Sequence, residues 1–183
     1  MAVSSATPAS LYNPQFMDHV NNPDYNYQLE DPTHVHEGVN PSCGDELTFS
    51  IRIGDDGTIE EAAYQGHGCA ISQASADMMS DLVTDRTPEE ALALCDLFMR
   101  MVKGEVTDEA ELDQLEDAAL LKDIAHMPAR VKCAELAWRT LSEMLARRSG
   151  RRAKLALAFQ VYNDFMSWLQ ESVPPRMSRF YGG

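Results

Sequence analysis

The sequence predicts an α+β fold for this chain of 183 residues. Residues 46–53 and 58–65 alternate apolar and polar side chains as two β-strands do, and the stretch 54–57 between them is typical of a hairpin turn. Residues 10–20 and several stretches from residue 70 onward instead repeat apolar residues with the period of an α-helix. With 44% apolar residues, the chain is long enough to bury one sizeable core.

The region before the hairpin begins with residues 1–9, which are predicted to be disordered. A helix is predicted to follow at 10–20, before a turn rich in asparagine and proline. Residues 24–40 show neither a helical nor a strand period and are predicted to be irregular. His34 and His36 lie in that stretch, so they are interpreted as exposed loop residues rather than metal ligands.

Helices are also predicted after the hairpin, at residues 70–84, 87–103, 115–126 and from 128 onward. Thr87 and Glu90 have the spacing of a capping box, which marks where a helix begins. Cys95 falls in the middle of the same helix on its apolar stripe. It is therefore interpreted as a small core residue rather than a ligand.

Charge is distributed unevenly along the chain, whose formal net charge is −14. Residues 147–183 hold 7 Lys and Arg against 2 Asp and Glu, so the body before them is strongly acidic. An acidic body argues against nonspecific nucleic-acid binding, which needs cationic groups to displace counterions. The basic segment is predicted to be a helical C-terminal extension. It fits a partner, an anionic lipid, docking on the acidic body, or self-association into a homo-oligomer.

The sequence has neither a membrane-spanning segment nor a secretory signal, and this indicates the cellular compartment. No stretch stays apolar for the roughly 20 residues that a membrane-spanning helix needs, and the N-terminus does not have the pattern of a secretory signal. Four cysteines are too few for a disulfide framework in a chain of this size. These observations favour a cytoplasmic protein with reduced thiols, in which cysteines serve metals or catalysis.

Three cysteines and one aspartate form the candidate metal site. Cys43 and Asp45 precede the first hairpin strand, and Cys69 follows the second. Because a hairpin brings its outer ends together, these three residues are predicted to be neighbours in space. Cys133 lies at a similar junction near the start of the long helix. Three thiolates and one carboxylate complete a tetrahedral zinc shell.

Three further residues are predicted to support the site. Arg130 and Lys132 lie within one helical turn of Cys133, where their positive charges would offset the charge of the anionic ligands. His67 lies between two glycines beside Cys69. It is either a loop residue bonded to the backbone, or a stand-in ligand or proton carrier.

Three segments of the chain share a pattern with a known protein family. The segments are Asn40-Pro41-Ser42-Cys43-Gly44-Asp45, the run from Gly66 to Ser75, and Arg130-Val131-Lys132-Cys133-Ala134. In order and spacing they resemble the iron–sulfur assembly proteins of the IscU, SufU and NifU N-terminal family, and the resemblance covers residues 10–146. The chain is similar to the SufU branch, because Lys132 stands where IscU proteins have a histidine.

The resemblance implies a small antiparallel sheet of about three strands, with helices packed on one face and the metal site at one end. It implies that Cys43, Asp45, Cys69 and Cys133 bind Zn²⁺. It also implies that Cys43 accepts persulfide sulfur from a SufS-type, PLP-dependent cysteine desulfurase, and that downstream iron–sulfur assembly proteins receive it.

We therefore predict a zinc-dependent, sulfurtransferase-like protein with Cys43 as the catalytic residue. Two other functions are compatible with the same four side chains. One is a scaffold on which a [2Fe-2S] cluster is assembled and transferred, and the other is a zinc-stapled interaction module without transfer chemistry. Because Asp45 is a hard ligand among soft ones, it is predicted to tune how readily the shell opens.

Overall fold

The computed structural model describes residues 11–147. The predicted disorder of residues 1–9 and all but the first residue of the predicted extension at 147–183 lie outside that range. Between residues 11 and 147, no helix is both long and apolar enough to cross a membrane.

A three-stranded antiparallel sheet with the strand order β1-β2-β3 forms the centre of the fold. Its strands are β1 (His34–Asn40), β2 (Asp45–Ile53) and β3 (Ile59–His67). The predicted hairpin is β2 and β3, and it contains a bulge because Arg52 pairs with Glu61 while Ile53 pairs with Ile59. The sheet and the helices described below confirm the predicted α+β class.

Strand β1 corrects the prediction that residues 24–40 are irregular throughout. His34 and His36 are half-buried strand residues, not exposed loop residues. They face the helical side of the sheet, where His36 Nε2 lies 3.4 Å from a carboxylate oxygen of Glu143. The opposite face of this edge strand is open, and Val35 and Val39 are more than half exposed there. The inward positions of β1 thus carry polar residues such as His34 and His36. Apolar residues do not alternate toward the core, so the pattern that predicts a half-buried strand is absent.

The helices are α1 (Pro14–Asn21), α2 (Ala70–Val83), α3 (Pro88–Val102), the short α4 (Glu109–Leu112) and α5, described over residues 128–147. The capping box of α3 is confirmed, since the Thr87 hydroxyl accepts from the Glu90 N–H and the Glu90 carboxylate accepts from the Thr87 N–H. Cys95 is fully buried in α3, as predicted, and burial raises its pKa to about 12.

The short helix predicted at 115–126 is a 3-10 segment spanning Asp113–His126. It contains Glu116 with a φ of 48°, which breaks the helical path. Leu115, Leu121 and Ile124 are buried along it, so the segment closes one side of the core without a regular α-helix.

The core lies between the inner face of the sheet and the helices. Phe49 and Ile51 of β2 are fully buried. Trp138 of α5 stacks on Phe98 of α3, with ring centroids 4.0 Å apart and planes 7° from parallel. The Trp138 Nε1–H donates to Ser75 Oγ at 2.9 Å, and that hydroxyl donates to a backbone carbonyl of α5. These two hydrogen bonds hold α5 against α2. Cys69 lies at the start of α2 and Cys133 near the start of α5, so the bonds also fix the relative positions of the helices that carry these two cysteines.

Helix α1 is held to the body by a histidine between two carboxylates. His19 Nδ1 lies 2.8 Å from Asp77 Oδ2, and His19 Nε2 lies 3.3 Å from Asp117 Oδ2. Burial alone would lower the pKa of His19, but the hydrogen bonds and charges of the two aspartates outweigh burial and raise it. Burial in turn raises the pKa of Asp77, while its bond to His19 opposes that shift.

We expect the free energy of unfolding to fall as the pH rises through the folded-state pKa of His19. Since that pKa is raised, the stabilisation is complete below the unfolded-state value of about 6.5 and is lost above the folded-state value. Denaturant unfolding of the wild type and of His19→Gln, at about pH 5.5 and about pH 8.5, measures the free energy of unfolding at each pH. The variant should lose about 1 kcal/mol at the lower pH and less at the higher. An equal loss at both values would contradict the charged pairing.

Candidate metal centre

The loop between β1 and β2 carries two of the predicted ligands. Cys43 is exposed in this loop, and Asp45 is the first residue of β2 with only 1% of its surface exposed. Gly44 between them has a φ of +71°, which side-chain-bearing residues rarely adopt. The Cys43 and Gly44 N–H groups both donate to the carbonyl of Asn40, at 3.2 and 2.9 Å. The backbone turn therefore sets the two ligands close together.

Cys69 lies beside Asp45 at the start of the next helix. It is the N-cap residue of α2 and is half-buried. Its backbone N–H donates to Asp45 Oδ1 at 2.8 Å, so the two ends of the hairpin meet at this hydrogen bond.

Cys133 approaches the loop from α5. It is fully buried, and its Sγ lies 3.1 Å from the Sγ of Cys43. The ligand atoms of Cys43, Asp45 and Cys133 all lie within 4.8 Å of one another. Among residues 11–147, Cys69 is not part of this mutual group, although its thiol interacts with that of Cys133. Burial, followed by hydrogen bonds to Cys43 and Asp45, raises the pKa of Cys133.

Asn40 is a site residue to which the sequence analysis gave no role. Its side chain is buried, and its Nδ2 donates to Asp45 Oδ2 at 3.1 Å and to Cys133 Sγ at 3.4 Å. Its Oδ1 accepts from the Ser42 N–H at 3.2 Å. The signal that would have identified it is its position at the inward-facing end of β1, and that strand was not predicted.

A glycine in β1 allows α5 to come close enough for Cys133 to reach the loop. A Cβ on Gly38 would lie 2.0 Å from Thr140 Oγ1 and 3.2 Å from a methyl carbon of Leu136, both on α5. Two residues further along β1, Asn40 contacts Cys133 on the same helix. The close approach at Gly38 therefore sets the distance at which the cysteine of α5 meets the ligands of the loop.

The three predicted supporting residues are placed differently. Arg130 is exposed at the start of α5, and the negative charges of Cys69 and then Cys133 raise its pKa. Lys132 is exposed next to Cys133 in the chain. His67 is the exposed last residue of β3 and pairs with Glu46 in the ladder. The roles assigned to these residues stay predictions.

The donor atoms fit a tetrahedral thiophilic metal ion. A buried carboxylate next to a buried thiol is costly unless another group compensates the charge, and a divalent cation between them would do so. Two sulfurs bound to zinc at about 2.3 Å each lie about 3.8 Å apart in a tetrahedron. The 3.1 Å between Cys43 Sγ and Cys133 Sγ reaches that value with a small side-chain rotation.

Comparison with known proteins identifies the family. Residues 11–154 match the family described as the NifU-like N terminal domain. The chain belongs to this family. The family resemblance predicted from the three sequence segments is therefore confirmed.

Relatives in this family have two different names. The iron–sulfur cluster assembly scaffold protein IscU of Thermotoga maritima is 39% identical over 135 residues, which are 74% of this chain and 92% of that protein. The zinc-dependent sulfurtransferase SufU of Bacillus subtilis is 36% identical over 141 residues, which are 77% of this chain and 93% of that protein.

The fold is also that of a solved relative. A crystal structure from Fervidobacterium islandicum, of a protein assigned as an iron–sulfur cluster assembly scaffold for the SUF system, matches with a TM-score of 0.68. The two sequences are 34% identical, and the match covers 76% of this chain and 99% of that chain. The two proteins thus share this fold.

Proposed function

We propose that this protein takes part in iron–sulfur cluster assembly by accepting sulfur on Cys43 within a zinc site. The observation that carries the proposal is the difference in exposure among the site thiols. Cys43 is exposed, whereas Cys69 is half-buried and Cys133 is fully buried. Cys43 is therefore the most accessible of the three site thiols to a persulfide held on another protein. Membership of the NifU-like N-terminal family supports the wider role in cluster assembly.

The transfer step is a thiolate–persulfide exchange without net oxidation. The Cys43 thiolate attacks the outer, sulfane sulfur of a cysteine persulfide on the donor. The sulfur–sulfur bond of the donor breaks, and its cysteine leaves as a thiolate. Cys43 then carries the persulfide with its proton, so that atoms and electrons balance. A bound Zn²⁺ supplies a site in which the cysteine thiols are held deprotonated at neutral pH and no redox change occurs.

The other residues of the site orient it and balance its charge. Asp45 is held at both carboxylate oxygens, by the Cys69 N–H and by the Asn40 amide, so it is fixed in the site. Arg130 places a cation beside Cys69 and Cys133, where it stabilises anionic sulfur. We propose Cys43, Asp45, Cys69 and Cys133 as the zinc ligands, with Arg130, Lys132 and His67 as supporting groups.

The partner we propose is a SufS-type cysteine desulfurase, which carries its sulfur as the persulfide that this step requires. The SufU relative is named a zinc-dependent sulfurtransferase, which supports such a donor. Downstream assembly proteins of the cytoplasm would receive the sulfur from Cys43.

Desulfurase turnover tests this function. A SufS-type desulfurase is assayed for alanine release with cysteine, with and without this protein, together with the zinc content of the freshly purified protein. The proposal predicts about one zinc per chain and faster turnover in its presence. Bound zinc with unchanged turnover would instead support a zinc-stapled interaction module.

A [2Fe-2S] scaffold is a second candidate, favoured by the IscU relative at 39% identity. The same thiolates and carboxylate would then hold the cluster. The visible absorption spectrum after anaerobic purification separates the two candidates. A brown protein containing iron and sulfide supports the scaffold, and a colourless zinc protein supports the sulfur acceptor.

Asp45→Ala should weaken zinc binding by about 100-fold or more, because it removes a buried ligand that two donors hold in place. Asp45→Asn is the matched control, since its amide oxygen can still accept from the Cys69 N–H but carries no charge. Competition with a chromophoric chelator measures the affinity. Unchanged zinc affinity and an unchanged rate of sulfur transfer in Asp45→Ala would remove Asp45 from the shell.

A further inference from the structure

The Asn40 side chain divides the proposed ligands into two groups. Its Nδ2 contacts Asp45 and Cys133, which are both buried. The exposed Cys43 bonds to Asn40 through its backbone N–H, which donates to the Asn40 carbonyl. The hydrogen bonds of the Asn40 side chain therefore hold the two buried ligands, whereas the thiol of Cys43 contacts the sulfur of Cys133 instead.

Both amide protons of Asn40 are committed to atoms that are anionic in a metal-bound site. One points to the Asp45 carboxylate and the other to the Cys133 sulfur. Only 5% of Asn40 is exposed, so water does not compete for these bonds. Hydrogen bonds to charged acceptors are stronger than neutral ones, and groups that bond to metal ligands fix their orientation.

We propose that Asn40 is the positioning residue of the metal centre, holding Asp45 and Cys133 in place while Cys43 accepts sulfur. The part concerning Cys43 rests on the proposed function. The positioning of Asp45 and Cys133 affects only how tightly the metal is bound, so it is tested without a desulfurase.

Substitution can separate the roles of the oxygen and the nitrogen of the Asn40 side-chain amide. Its Oδ1 accepts from the Ser42 N–H and so supports the loop turn, whereas its Nδ2 contacts the ligands. Asn40→Ser keeps a short side-chain oxygen that can accept from the N–H two residues on, but its hydroxyl is too short to reach both ligands. Asn40→Ala removes both the oxygen and the nitrogen.

Chelator competition and the spectrum of the cobalt-substituted protein test the proposal. Asn40→Ser and Asn40→Ala should both bind zinc about 10–100-fold more weakly than the wild type, and their sulfur-to-cobalt charge-transfer bands should shift. His36→Ala is the matched control, because His36 faces α5 from the same strand but contacts Glu143 instead of the site. It should keep the wild-type affinity and bands.

A purely structural role for the loop turn would leave Asn40→Ser like the wild type in affinity and in cobalt spectrum, and that result would overturn the proposal. A further measurement needs no variant. By NMR, the side-chain amide protons of Asn40 in the zinc-loaded wild type should exchange with water far more slowly than those of the exposed Asn22. Equally fast exchange would also overturn it.

The same experiments separate this inference from the function on which it partly rests. If the wild type fails to stimulate the desulfurase while Asn40→Ser still loses zinc, the sulfur-acceptor function fails and the positioning role stands. If the wild type stimulates turnover while Asn40→Ser keeps its zinc affinity, the positioning role fails and the function stands.

Discussion

Cys43→Ser is expected to abolish the stimulation of desulfurase turnover, a loss of at least about 100-fold in the stimulated rate. Serine is nearly isosteric with cysteine, but its hydroxyl does not ionise at neutral pH and cannot attack a sulfane sulfur. Because Cys43 is exposed, the fold should be retained, and the buried ligands should still bind zinc with lower affinity. Turnover assays, chelator competition and circular dichroism measure the three effects.

Cys95→Ala is the control for Cys43→Ser. Cys95 is fully buried in α3 among apolar residues, so its loss should cost about 1–2 kcal/mol of stability through a small cavity. It should leave desulfurase stimulation unchanged. A Cys43→Ser variant that still stimulates turnover would show that the sulfur is accepted elsewhere.

Gly38→Ala is expected to have the second large effect. The new methyl group would overlap Thr140 Oγ1, which lies 2.0 Å from its position, so α5 must move away from β1. Overpacking of this kind costs about 1–3 kcal/mol of unfolding free energy. Cys133 moves with α5, so zinc affinity should fall as well. Denaturant unfolding and chelator competition measure the two losses.

Thr140→Ala combined with Gly38→Ala provides the rescue. The alanine removes the hydroxyl that the Gly38 methyl would meet, while the remaining contacts are at 3.2 Å or more and need only a small adjustment. The double variant should recover most of the lost stability and zinc affinity relative to Gly38→Ala alone. A Gly38→Ala variant as stable as the wild type, with normal zinc binding, would contradict the role of this close approach.

The hairpin could be predicted from the sequence because it follows the simplest pattern of a half-buried strand. Leu47, Phe49 and Ile51 alternate along β2 and are all buried. Strand β1 could not be predicted in this way, because its inward positions are occupied by His34, His36 and Gly38. His36 faces Glu143 of α5, and Gly38 faces Thr140 and Leu136 of the same helix. The inward positions of β1 therefore show no run of apolar residues.

The contrast between the predictable hairpin and the unpredicted strand β1 also explains which features of the site could be predicted. The proximity of Asp45 and Cys69 follows from hairpin geometry, and the structure joins them by a hydrogen bond. The role of Asn40 depends on the missed strand and on the packing of β1 against α5. Neither the spacing of residues nor their composition indicates which side chain of a loop motif contacts a helix more than 90 residues away.

The location of the transferred sulfur tests the account most directly. The zinc-loaded protein is incubated with a SufS-type desulfurase and cysteine, separated from the enzyme, alkylated and digested for mass spectrometry. The account predicts the mass of one additional sulfur atom on the peptide that contains Cys43, and none on the peptides that contain Cys69, Cys95 or Cys133. Sulfur found on Cys133 or Cys69, or no added sulfur while turnover is stimulated, would contradict the assignment of Cys43 as the acceptor.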